Sequence, residues 1–431
     1  MSTRENPLID NRPTSSKTTI KRPVIVFVVE DVIPSGQLTL ASEVSKVLVS
    51  LGYDLRIIYF QSTCILDIPN YFSHIPPKSI YQIKIFLTGR LLVLFERFVK
   101  TWLFLFSFQR LPIVAFHCFL PLSFFATYFH PIRLNRRCIY HFIGYRDLEM
   151  LSTHQYRTWP PQDKFSLSVQ VRKQILFYIQ KFCLNISPEI IAISNYAKKL
   201  AISRYNVSPN KITIIRCTVD VSIFNSNTHS NIRKMLGLSR KCALIIFIHR
   251  HDPRKGFTVF LEAMAHLAKT GLIFHIVIAG EKTYYTQFIK NYCEMLGLSL
   301  YVTFVHTLTR TELVKFYNSA DLSIISSLDL ENFGQVIIEA FACGCPVIGT
   351  PTGAIPETLN LVHSFNLCCR NVNSTTLAKK IHSYLSLPRA EKLVIKREII
   401  RVAGTQFATS KASSWYQSVY PSINNYKVPI N

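Results

Sequence analysis

Short apolar runs of strand length alternate with helical stretches along almost the whole chain, and this alternation restricts the possible folds more than any other feature. VIVFVVE (24–30) leads through the loop DVIPSGQ into LTLASEVSKVLVSLG, where Leu40, Val44, Val47, Leu48 and Leu51 recur at helical spacing. Gly52 suits the end of that helix, and LRIIYF supplies the next strand. IVAFH (113–117), CIYHFI (138–143), EIIAIS (189–194) and KITIIR (211–216) continue the series. Helices are expected over residues 168–184 and after a cap at Ser194 or Asn195. The second half is more regular: ALIIFIH (243–249), FHIVIAG (274–280), YVTFV (301–305), LSIISS (322–327) and PVIGT (346–350) are separated by helical stretches. Such alternation predicts parallel sheets with right-handed crossovers, hence an α/β chain of two doubly wound, Rossmann-like domains facing a central cleft. The expected units are a flexible tail (1–21), a first domain (22–194), a second domain (195–390) and closing helices (391–431). The polar stretch FNSNTHSN (224–231) is the best linker.

Composition narrows the function classes. Of 431 residues 48% are hydrophobic and 17% charged, too apolar for a disordered chain. Forty-nine Lys and Arg against 25 Asp and Glu give a net charge of +24, spread over both halves with no basic block of five. A diffuse positive field suits nucleic acid, anionic lipid or a phosphorylated small substrate; equally, it serves solubility alone. No zinc finger, helix-turn-helix or aromatic–basic RNA motif is present, so nucleic acid is not expected as a partner. Eleven cysteines without zinc spacing, and a polar start without an apolar signal core, point to reduced thiols in a cytoplasmic protein. No D-x-D triplet or paired His/Cys makes a metal site, so no metal cofactor is expected.

Leu111 to Ile132 contain no Lys, Arg, Asp or Glu and are long enough to cross a bilayer. Pro112, His117, Pro121 and His130 interrupt the run, and its start reads as a strand. Upstream, residues 83–110 set Arg90, Arg97 and Lys100 at helical spacing among Phe, Leu and Trp. This reads either as a basic amphipathic helix on an anionic membrane surface or as a helix packed on its own domain with snorkelling cations.

Open α/β sheets bind ligands where strands end and loops lead into helix N-termini. The richest such place is SSLDLENFGQVIIEAFACGCPVIGT, where Glu331 precedes a helix start near Gly334 and Glu339 lies inside an apolar helix. A carboxylate in that setting needs a partner. In IFIHRHDPRKGF, Arg250 follows a strand while Lys255 and Gly256 open a helix, the make-up of a diphosphate site. Gly36, after the first strand, allows either a turn or a close backbone approach to a ligand. His117, at the end of its strand, reads either as a hydrogen-bonded core residue or as a functional one.

The second half resembles the retaining glycosyltransferases of family 4, the glycosyl transferases group 1 with the GT-B fold. The matching pieces are HRHDPRKGFTVFLEA, HIVIAGE, VTFVH, TELVKFYNSADLSIISS, ENFGQVIIEAFACGCPVIGT and GAIPE. ISNYAKKL and KITIIRCTVDVSIF are similar to the family's domain junction, and SSWYQSVY to its closing helix, which crosses back to the first domain. The resemblance implies an acceptor-side first domain and a nucleotide-sugar-binding second domain. It implies that Arg250 and Lys255 hold the donor diphosphate, Glu339 the ribose, and Glu331 with the amides around Phe333, Gly334 and Gln335 the donor sugar. Gly36 would line the donor phosphates or the acceptor, and His117 would sit near the reacting sugar and contact its hydroxyls, so that Glu331 and His117 are the expected catalytic residues. A sugar would pass with retention, without a metal, from a nucleotide-diphosphate donor to a hydroxyl of a glycan or lipid-linked acceptor, in cell-surface polysaccharide or glycolipid synthesis. The protein would be cytoplasmic, peripheral on the inner face of a membrane. Inactive relatives that bind nucleotide or glycan, and sugar-nucleotide epimerases, share the fold. His249, Asn332, His306, Cys217–Thr218 and Ser35 depart from the family pattern in loops that face the ligand.

Overall fold

Every strand pairing in this computed structural model is parallel, and the strands form two separate sheets. The structure describes residues 22–31, 36–60, 72–85, 90–156, 161 and 165–420. Residues 1–21, expected as a flexible tail, and residues 32–35 and 421–431 lie outside them. The first sheet comprises β1 (Val24–Asp31), β2 (Asp54–Phe60), β3 (Ile80–Ile83), β4 (Ile113–Cys118), β5 (Arg137–Phe142), β6 (Glu189–Ala192) and β7 (Ile212–Ile214), in the order 3-2-1-4-5-6-7. The second comprises β8 (Ala243–Ile248), β9 (Phe274–Ala279), β10 (Val302–Val305), β11 (Leu322–Ile325) and β12 (Val347–Gly349), in the order 10-9-8-11-12. Each sheet therefore reverses its winding once, between β1 and β4 and between β8 and β11. Ligand crevices of doubly wound folds open at such points.

The central strands β4, β5, β8, β9 and β11 are buried on both faces, which is why they read as continuous apolar runs, whereas the edge strands β3, β7 and β10 are only partly buried. Phe27 sits between Ile57 of β2 and His117 of β4, and Phe247 beside Ile278 of β9. Helices cover both sides. Phe260 of the helix Phe257–Ala268 stacks on Phe247 with ring centroids 4.4 Å apart. Local chemistry fixes the helix starts. The Ser194 side chain accepts from the Ala197 amide, and Thr309 with Glu312 forms a reciprocal capping box ahead of the helix Arg310–Ser319.

The structure bears on three sequence readings. The first sheet continues past residue 194: the helix Asn195–Tyr205 and β7 complete a crossover that adds β7 beside β6. A β–α–β unit cannot be cut after its first strand, so the first sheet runs to Ile214 and the polar stretch at 224–231 lies beyond it. The apolar run 111–132 is no span: it divides into β4, buried in the sheet, and the short helix Pro121–Tyr128. Among the described residues no helix is long and apolar enough to cross a membrane. Finally, two cations of 83–110, Arg97 and Lys100, turn toward the protein. In the helix Arg90–Leu105, Lys100 pairs with Glu96 at 2.6 Å and donates to the Lys84 carbonyl at 2.7 Å, while Arg97 lies over the Phe60 ring.

The chain returns to its first half at the end. Val219, just after β7, bridges to Ala408, and the helix Thr409–Val419 then packs along the helix Gly36–Ser50. Glu43 of that first helix accepts from Arg310 of the second half at 3.1 Å and from Thr409 at 3.3 Å, so one buried carboxylate gathers three parts of the chain.

Candidate active site

The two loops that leave the second switch point are laced together. Gly256, at φ +72°, brings its Cα so close to β11 that a Cβ would lie 1.9 Å from the Ser326 carbonyl oxygen. Ser326 donates its hydroxyl to the Gly256 carbonyl, and the Leu328 amide donates to the Arg254 carbonyl. This close approach sets Lys255 opposite Glu331: Nζ to Oε2 is 2.7 Å, and the Ser327 hydroxyl donates to the same oxygen at 2.8 Å. Gly353, at φ +59°, fits against the backbone of Glu331, where any Cβ would meet its carbonyl oxygen at 2.1 Å. Only glycine satisfies either position.

Electrostatics keep Glu331 ionised. Burial pushes its carboxyl up, but Lys255, Ser327 and His249 together hold it below the usual range. His249 is buried beside this pair, with Nε2 3.2 Å from the Ile324 carbonyl oxygen, which fixes the ring as an Nε2–H donor. Burial, helped by Lys255, holds its pKa down to about 3, so the ring is neutral. Arg250 and Arg254 both reach Asp252, at 2.7 and 3.2 Å. Four cationic or imidazole side chains from one loop thus surround two carboxylates, with the Lys255 and Arg250 heads partly exposed.

These groups line a cavity of about 480 Å³ between the two sheets. Arg250, Lys255, Glu331, Phe333, Gly334, Gln335 and Glu339 all face it, so seven of the residues singled out in the sequence come together. Phe333 packs edge-on against Phe407 of the returning segment, and Gly334, in the left-handed region, caps the helix Gln335–Ala342. Gln335 donates to the Thr218 carbonyl at 3.0 Å, joining that helix to the first half. Glu339 is half-buried one turn in, where burial lifts its carboxyl to about 7 against the pull of Arg310.

His117 is not brought to the cavity. It is fully buried, its Nδ1 2.6 Å from Nε2 of His141, its Nε2 bonded to the Tyr420 hydroxyl and its ring stacked on Phe27. Tyr420, at the end of the helix Thr409–Val419, seals it, a long-range contact that nothing near His117 in the sequence announces. The expected placement of His117 beside the cavity that Glu331 lines is therefore not seen in this structure, and its surroundings are those of a hydrogen-bonded core histidine. Gly36 opens the helix Gly36–Ser50, whose Leu40 reaches the cavity.

Sequence reasoning missed the first-domain wall. Glu149, in the first turn of the helix Arg146–Gln155, faces the cavity, as do Ile143 and Gly144. Asn332 donates to the Ile143 carbonyl at 2.9 Å and lies 3.5 Å from Glu149 Oε1, so the loop of Glu331 touches the opposite wall. The available signal was positional: this helix follows the carboxyl end of β5, as the ligand loops follow β8 and β11.

Comparison with known proteins agrees with this architecture. Residues 34–223 match the model of Glycosyltransferase Family 4, and residues 229–401 that of Glycosyl transferases group 1. A D-inositol 3-phosphate glycosyltransferase of Mycobacterium sp. (strain KMS) is 30% identical over 155 residues, 36% of this chain and 35% of that protein. The match thus spans about a third of the curated relative's length. Sucrose-phosphate synthase of Thermosynechococcus elongatus superimposes with a TM-score of 0.74 at 17% identity, covering 93% of this chain and 98% of that one. The Anabaena protein HepE in complex with UDP and glucose gives 0.72 at 18% identity, covering 92% and 99%. With two family models in tandem over most of its length and both sheets shared with these structures, the chain belongs to the group 1, family 4 glycosyltransferases and has the GT-B fold.

Proposed function

We propose that this protein is a retaining, metal-independent hexosyltransferase that moves a sugar from a nucleotide-diphosphate donor to a hydroxyl of a glycan or lipid-linked acceptor. The observation that carries the reading is the Lys255–Glu331 pair at the switch point, with Arg250 beside it. A diphosphate entering the cavity offers Lys255 and Arg250 anionic oxygens in place of Glu331 and Asp252, and the cations then stabilise the charge that grows on the departing nucleotide. Glu331, released from Lys255, turns to the hydroxyls of the donor sugar. Glu339 accepts from the ribose hydroxyls, and the backbone amides at Phe333, Gly334 and Gln335 stand at a helix N-terminus suited to partial negative charge. HepE, which shares the fold, is complexed with UDP and glucose, which supports a nucleotide-sugar donor, and the mycobacterial relatives are named D-inositol 3-phosphate glycosyltransferases, which supports glycosyl transfer. In this reading the protein works in the cytoplasm, at the inner face of a membrane, in cell-surface polysaccharide or glycolipid synthesis.

Thermal stabilisation by uridine-, guanosine- and thymidine-diphosphate sugars tests it. Ligand at a hundredfold excess over its dissociation constant adds ~2.7 kcal/mol to the native state. One donor is expected to stabilise the wild type and not Lys255→Ala; no stabilisation across the panel overturns the reading. A second reading, a relative that binds nucleotide without transfer, draws on the sealing of His117 under Tyr420. Donor binding with no product from any acceptor favours it.

A further inference from the structure

The helix Leu167–Ile186 carries an apolar stripe that the fold leaves bare. Leu167, Val171, Ile175, Tyr178, Ile179 and Phe182 are each 39–76% exposed. At about 100° per residue they fall within an arc of about 120°. Val169, Gln180, Cys183 and Leu184, on the opposite side, are buried in the domain. The stripe is therefore a second apolar face on a helix whose first face is already used. It is also continuous with its neighbours. Phe182 meets Phe125, and Phe125 meets both Phe98 and the half-exposed Phe129, so ring contacts run across three adjacent helices.

Charge says what covers it. Arg172 lies beside one edge of the stripe and Lys181 beside the other, and the helix contains no Asp or Glu. Arg133, four residues beyond Phe129, lies over the Tyr128 ring. An isologous contact between two copies would bring these cations together with no carboxylate on the helix to meet them. An anionic lipid surface takes both features at once: acyl chains receive the stripe, and headgroups meet the flanking cations.

We propose that the face centred on Leu167–Ile186, and not the segment 83–110, docks the protein on an anionic membrane. The helix lies in the plane of the interface with Ile175 and Tyr178 pointing into it. The inference deepens the peripheral-membrane part of the proposed function and is independent of the donor chemistry, since no residue of this helix lines the cavity.

Co-sedimentation of the full chain with phosphatidylcholine vesicles, with and without phosphatidylglycerol, tests the proposal. The wild type is expected to bind the anionic vesicles. Ile175→Asp with Tyr178→Asp abolishes binding, and Arg172→Ser with Lys181→Ser lowers it about fivefold per cation. Arg97→Ser with Lys100→Ser is expected to leave it within about twofold. Circular dichroism and donor-induced stabilisation, both retained, show that the stripe variants are folded and separate a failure here from a failure of the donor reading. Binding unchanged in the stripe variants, no binding by the wild type, or a dimer in light scattering that Ile175→Asp dissociates each overturns the proposal.

Discussion

The switch point between β1 and β4 and the one between β8 and β11 are equivalent in topology, yet their strand ends are used in opposite ways. After β8 and β11 the chain sends charge into the cleft: Arg250, Lys255 and Glu331 stand on loops held together by the close approach at Gly256. On β4 and β5 the polar side chains turn inward, where His117 and His141 bond to each other and Tyr420 closes over His117. Winding order supplies a crevice twice; side-chain chemistry fills one with a site and the other with core. His249 and His117 make the contrast concrete. Both are buried and neutral, but His249 lies against Lys255 and Glu331, whereas His117 lies against Phe27 and two uncharged partners.

Removing Glu331 should produce the largest effect. Glu331→Ala leaves Lys255 without its partner and, under the proposed function, deprives the donor sugar of its carboxylate, so transfer should fall about 10²–10³-fold, the scale of losing one preorganised electrostatic group. The matched substitution at the other switch point, His117→Ala, should cost about 2–4 kcal/mol of stability through a cavity and the orphaned Tyr420 hydroxyl. Turnover per folded molecule should be unchanged. Steady-state kinetics on both variants, normalised to folded fraction, decide the matter: a turnover loss in His117→Ala of the size seen for Glu331→Ala would return His117 to the reaction.

Gly256→Ala addresses what holds the second switch point together. A Cβ there meets the Ser326 carbonyl oxygen at 1.9 Å and must also occupy a left-handed conformation. The expected loss is about 2–4 kcal/mol, read as a lower midpoint of denaturant unfolding. Gly404→Ala is the control, because nothing lies within 4 Å of a Cβ at that position. Equal, small losses in the two variants would mean that the loops are not laced as described.

How much of this was legible depends on the range of the contacts involved. The alternation of strands and helices gave both sheets, and the site in the second half was readable because its residues lie close along the chain, within 249–256 and 326–339. Their geometry comes from local rules, namely strand ends, helix starts and glycine turns. What escaped depends on distant parts of the chain. Tyr420 lies 303 residues from the His117 it covers. Glu149 becomes a wall of the cleft only when Asn332, 183 residues away, is brought to it. The extent of the first sheet escaped for a related reason: KITIIR reads as a strand, but that it pairs with β6 is a tertiary contact the local sequence does not announce.

Titration separates the two kinds of buried acid in the cleft. Burial raises Glu339 to about 7, above its unfolded value, so the native state holds its proton where the unfolded chain has lost it. Its contribution to stability therefore declines as pH rises from about 4.5 to 7. Glu331 is shifted down and its contribution runs the other way, lost as pH falls through its lowered folded value. Denaturant unfolding of the ligand-free protein across this range should show Glu339→Gln gaining stability relative to wild type as pH rises. A constant difference would place the Glu339 carboxyl in water.

The smallest effect expected is at Gln335, where one side chain belongs to both descriptions of the cleft. Its amide ties the helix Gln335–Ala342 to Thr218, next to the Val219–Ala408 bridge through which the chain crosses back. As a tie, it contributes about 1 kcal/mol, the net value of one hydrogen bond, and Gln335→Ala should lower stability by that amount. Hydrogen exchange should then quicken at Val219, whose amide bonds to the Phe407 carbonyl. As a donor contact, the same residue would weaken nucleotide-sugar binding about fivefold or more without touching that amide. The two measurements are independent, and the tie is the stronger expectation, because the Thr218 carbonyl already occupies the Gln335 amide before any ligand arrives.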